Sequence, residues 1–124
     1  MANEPKSELK ADSVKNLVSV RYFGHVTAAD AKTVLAQIEK LIPQLRSGFT
    51  MLTDLSGLES MDLECVASLT KIMDRCRANG VGTVVRIVPD RTKDIGFNIL
   101  SVIHLRRDVK IITCETLAEA ERVL

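Results

Sequence analysis

The sequence predicts an α/β fold: a single domain on a mostly parallel sheet of four to five strands, with an N-terminal edge hairpin or strand and about four helices. Three observations carry this. Runs rich in β-branched and aliphatic residues recur at 17–23, 49–55, 83–88 and 109–113. Between them lie stretches whose apolar residues repeat at helical spacing. Strands that alternate with helices need crossovers, and crossovers favour parallel pairing. A chain of 124 residues is long enough for one hydrophobic core without metal or disulfide support.

In order, residues 1–8 are polar and read as a flexible N-terminus, with the domain running from 9 to 124. Leu17-Val18-Ser19-Val20-Arg21-Tyr22-Phe23 is a strand that Gly24 should end, and residues 9–12 can pair with it as a hairpin arm. Thr27 caps a helix with Asp30 in its first turn, and Pro43 should end that helix near Ile42. Residues 48–80 organise the rest: a buried strand at 49–55, a turn opened by Ser56-Gly57, and a helix from Leu63 to Asn79 capped by Asp62. Leu63, Val66, Leu69, Met73 and Cys76 are expected to face the sheet. Glu64, Ser68, Lys71 and Arg75 are expected to face outward.

Asn79-Gly80 is a helix stop. A strand at 83–88 follows, then a helix at 92–105, a strand at 109–113, and a last helix opened by the capping-box pattern Thr116-Leu117-Ala118-Glu119.

Composition removes several function classes. Lys and Arg total 17 against 16 Asp and Glu, for a net charge of +1, which leaves no basic footprint for nucleic acid or an anionic membrane. One Tyr, three Phe and no Trp leave little to stack on bases. No run approaches the ~18 apolar residues of a membrane span.

Cys65 and Cys76 are separated by about 16 Å along one predicted helix, too far apart to bond. Together with Cys114 they make an odd count with no CxxC and no leader, which points to a reducing cytoplasm and to small buried hydrophobes. His25 and His104 lie in no metal-ligand spacing. Phosphate-loop patterns are absent, so neither metal nor cofactor is expected, and no nucleophile signature supports an enzyme.

The segment Leu52-Thr53-Asp54-Leu55-Ser56-Gly57-Leu58-Glu59-Ser60-Met61-Asp62 resembles the STAS family, the domains of bacterial anti-sigma factor antagonists (SpoIIAA-like) and related regulatory modules. The resemblance spans about residues 17–124, with a weaker echo in Thr116-Leu117-Ala118-Glu119-Ala120. It implies a regulatory protein-interaction module without enzymatic activity. Its expected partner is an anti-sigma-factor-like kinase or a larger regulatory assembly, docked on residues 54–68.

Where the family pattern has Asp-Ser-Ser-Gly, this chain has Asp62-Leu63-Glu64-Cys65. Glu64 therefore stands at the phospho-acceptor position, and it supplies fixed charge without a hydroxyl to phosphorylate. The candidate partner-binding residues are Asp54, Ser56, Ser60, Asp62, Glu64, Ser68, Lys71 and Phe97. Ser56 and Ser60 double as turn formers and as alternative phosphosites.

Phe97 belongs to a second stretch, residues 91–98, where a helix start could meet a partner carboxylate. The default role of these residues is to cap, turn and solvate. A looser resemblance to lipid-carrying Sec14-type domains adds the alternative of a carrier or sensor of a small apolar ligand, with its pocket between the sheet and the 92–105 helix. Homodimerisation through an edge strand or helix face stays open.

Overall fold

The computed structural model describes residues 7–88 and 109–124. Its strands are β1 (Ser7–Asp12), β2 (Leu17–Val26), β3 (Thr50–Met61), β4 (Thr83–Ile87) and β5 (Lys110–Cys114). They lie in the sheet in sequence order. β1 pairs antiparallel with β2, and every later pair is parallel. Helices α1 (Ala28–Leu41), α2 (Cys65–Ala78) and α3 (Leu117–Val123), with a 3-10 turn at Ile42–Gln44, complete the described residues. The predicted α/β architecture with its leading hairpin is present. The helix expected at 92–105 lies outside the described residues.

Period-two alternation sorts side chains between the two faces. Val18, Val20 and Tyr22 of β2, with Met51, Leu55 and Val84, pack against Val34 and Ile38 of α1 and Leu69 and Ile72 of α2. Each such side chain, fully buried, contributes about 1.5–3 kcal/mol. On the other face Leu52, Val85, Ile87 and Cys114 pack with Ala120 of α3.

Local chemistry fixes the ends. Thr27 and Asp30 form a reciprocal capping box at α1. The Thr116 hydroxyl accepts from the Glu119 amide, but the Glu119 carboxylate accepts from the Glu115 amide, one residue ahead of the reciprocal position. Gly80 stops α2 at φ +86°, where a Cβ would collide with Ser47.

Three expectations about the centre of the chain need correction. Ser56-Gly57 does not turn the chain: β3 continues to Met61. Nor does Gly24 end β2, which runs on to Val26 with Gly24 at φ +58°. Both extensions survive because the strands absorb irregular pairing instead of separating. β2 advances two residues from Arg21 to Phe23 while β3 advances three from Asp54 to Gly57. A second slip lies between Gly24↔Leu58 and His25↔Ser60. Such bulges re-aim the side chains beyond them. Gly57 permits the close approach, since a Cβ there would sit 3.0 Å from the Phe23 ring and 3.3 Å from the Tyr22 carbonyl.

The third correction is the rotation of α2. Its buried stripe is Cys65, Ser68, Leu69, Ile72, Met73 and Cys76, while Leu63 and Val66 are exposed. The helix begins at Cys65, so Leu63 precedes its first turn and is not carried to the sheet. The apolar series 65-69-72-76 then sets the packing, and Ser68 comes inward with it.

Candidate functional site

From the middle of β3 to just past its end the polar residues fall into two clusters. Upstream, the Asp54 carboxylate is nearly buried, its side chain 6% exposed, and lies 3.2 Å from the Arg21 Nε. It also accepts from the Ser56 amide at 2.9 Å and the Ser56 hydroxyl at 2.6 Å. Arg21 in turn stacks over Phe23, 5.0 Å from the ring centroid. The Asp54 carboxylate therefore clamps the strand just where the first bulge begins.

Downstream, the bulges bring Ser60 opposite His25. Ser60 Oγ lies 2.5 Å from His25 Nδ1. His25 Nε2 lies 2.8 Å from Asp62 Oδ1, with the two side chains 50% and 38% exposed. Asp62, expected to cap α2 with its carboxylate, faces His25 instead. Its amide donates to the Val26 carbonyl and its own carbonyl accepts from the Cys65 amide. The capping position belongs to Glu64, whose side chain makes no capping bond and is exposed.

Next to it stands Leu63, a large apolar side chain 83% exposed, with Val66 partly exposed further along. Lys71 continues the outer face of the helix. Arg75, further on, reaches Glu39 of α1 at 3.6 Å.

Of the sequence candidates, Ser60, Glu64 and Lys71 are exposed and Asp62 is partly exposed. Asp54 and Ser56 form the separate upstream clamp. Ser68, expected to face outward, is buried, and Phe97 lies outside the described residues. Sequence reasoning missed His25 and Leu63. Only the register shifts could have paired His25 with Ser60, and only the true helix start could have left Leu63 outside.

Cys65 opens α2 as a buried thiol. Burial first, and then the charge of Asp62, push its thiol up, and its Sγ points to the Val26 carbonyl at 3.5 Å. No cluster of three or more His, Cys, Asp or Glu suited to a metal occurs among the described residues, and no helix among them is long and apolar enough to cross a membrane.

A separate groove of about 600 Å³ lies on the α3 face. Leu17, Leu52, Leu117 and Leu124 line it, with Lys15 and Glu121 supplying one charge of each sign.

No protein-family model and no curated protein matches the chain. Solved structures do. An uncharacterized protein from Shewanella loihica with a SpoIIAA-like fold superposes with a TM-score of 0.74 at 12% identity, over 100% of this chain and 98% of that one. The anti-sigma factor antagonist SpoIIAA in its unphosphorylated form gives 0.66 at 16% identity, over 94% and 96%. A putative anti-sigma factor antagonist from Thermotoga maritima gives 0.61 at 19%, over 93% and 92%. The chain thus has the SpoIIAA-like, STAS-type fold.

Proposed function

We propose that this protein is a non-enzymatic regulatory interaction module of the anti-sigma-factor-antagonist kind, docking a protein partner through the opening of α2. The observation that carries the reading is Leu63: an apolar side chain 83% exposed, directly between Asp62 and Glu64. An isolated exposed leucine needs no explanation. This one projects at a helix start with Val66 beyond it and two carboxylates beside it, a combination that suits a partner offering an apolar socket with a basic rim.

The partner expected on this reading is an anti-sigma-factor-like kinase or a regulatory assembly containing one. Glu64 gives the surface a constant charge where a hydroxyl would be switchable. The three free, buried cysteines suit a reducing cytoplasm.

Affinity capture from the native host tests this. Wild type should retain a partner that Leu63→Asp and Glu64→Lys both lose while remaining folded. Retention by both variants would move the surface elsewhere. The pocket expected beside the 92–105 helix lies outside the described residues, but the α3-face groove supports a second reading, a carrier of a small apolar ligand. Native mass spectrometry of freshly purified protein should then show a bound amphiphile, displaced by Leu52→Trp.

A further inference from the structure

The cluster formed by Ser60, His25 and Asp62 contains a hydroxyl, an imidazole and a carboxylate in sequence, the components of an activated serine. Both ring contacts are satisfied at once by a single neutral tautomer. Nε2–H donates to Asp62 Oδ1 at 2.8 Å, leaving the Nδ1 lone pair to accept the Ser60 hydroxyl at 2.5 Å. The ring nitrogens are exchanged relative to the usual order. The chemistry requires only that one nitrogen hold a lone pair toward the hydroxyl while the other is fixed by an acceptor.

The fold imposes this placement. In unbroken register from Arg21↔Asp54, His25 would stand opposite Leu58, and two slips in the pairing move it to Ser60. Asp62 is then anchored by its amide to Val26, the last residue of β2.

From this geometry we infer that Ser60 is a reactive nucleophile and a site of covalent acylation by small activated esters. Attack forms the Ser60 Oγ–acyl carbon bond and breaks the bond from that carbon to the leaving oxygen. The hydroxyl proton passes to His25 Nδ1 and from there to the departing alkoxide or phenolate. Asp62 is a positioning residue, acting through the imidazole.

Ser60 is exposed and its two partners are half-open to solvent, so the oxygen is reachable without opening the fold. Ser56 provides an internal contrast. It is also exposed, but its hydroxyl donates to the Asp54 carboxylate, which holds the proton without an imidazole to carry it away. This inference goes beyond the docking role and stands independently of it.

The test uses the intact chain and p-nitrophenyl acetate, followed by intact mass and peptide mapping. One acetyl group on Ser60 is expected, absent in Ser60→Ala. His25→Ala should lower the rate at least about a hundredfold, the low end of what a general base supplies. Asp62→Asn should slow acylation with the thermal midpoint unchanged, and Asp62→Glu should recover part of the rate. Equal labelling of Ser56 and Ser60, labelling that survives His25→Ala, or a rate no greater than that of the denatured chain would each overturn the proposal.

Discussion

Two clusters of similar composition, each a serine, an aspartate and a basic side chain from β2, follow one another along the β2–β3 pair, the second reaching Asp62 just past β3, and they differ in depth and in the base. Around Asp54 the carboxylate is 6% exposed and its base is Arg21. Around Asp62 the carboxylate is 38% exposed and its base is His25. A buried carboxylate must keep its partners, because losing one leaves a charge out of water. An exposed carboxylate can exchange partners with solvent at little cost. The first cluster therefore holds the bulged strand in place, and the second stands open to solvent.

The core on which both clusters rest should show the largest response, at high pH. Burial pushes the Cys76 thiol from its ordinary value near 9 up to about 12, and it pushes the Tyr22 hydroxyl upward as well. Both groups are held neutral when folded and ionise more readily when unfolded. Their contribution is fully present below about pH 9 and is lost as pH rises toward 12. Denaturant midpoints should fall steeply across that window and stay level between pH 7 and 8.5.

Gly57→Val should come next, at about 1–3 kcal/mol. The Tyr22 carbonyl and the Phe23 ring must move to admit the side chain, and both clusters lose their register. Thr27→Ala, which removes the α1 capping box, should cost about 1 kcal/mol without disturbing either cluster. Leu63→Asp should change stability by no more than about 0.5 kcal/mol, since an 83% exposed side chain has little packing to lose. A substantially larger loss would mean that Leu63 is packed, and the docking surface would have to be redrawn.

Much of this architecture is legible in the sequence because it rests on local signals. The hairpin follows from the β-branched run at 17–23, α1 from Thr27 and Asp30, and the α2 stop from Asn79-Gly80. What was not legible depends on pairing. Ser56-Gly57 carries turn chemistry, yet Gly57 is used here for close approach between strands, a contact that exists only once β2 and β3 have met.

The α2 face is ambiguous in the sequence because two helical series, one starting at Leu63 and one at Cys65, fit the apolar pattern almost equally. The start of the helix decides between them, and it is set by the extended β3. The Ser60–His25 pair lies 35 positions apart in sequence, and it becomes visible only through the register slips.

The contrast between the clusters is most directly tested by the thermal midpoints of Asp54→Asn and Asp62→Asn, measured side by side at neutral pH. Each variant removes one charge and keeps the shape. Asp54→Asn should lose about 1–2 kcal/mol, lowering the midpoint by roughly 4–8 °C, while Asp62→Asn should stay within about 2 °C of wild type. Equal losses, or a larger loss for Asp62→Asn, would contradict the division into a structural clamp and an available site.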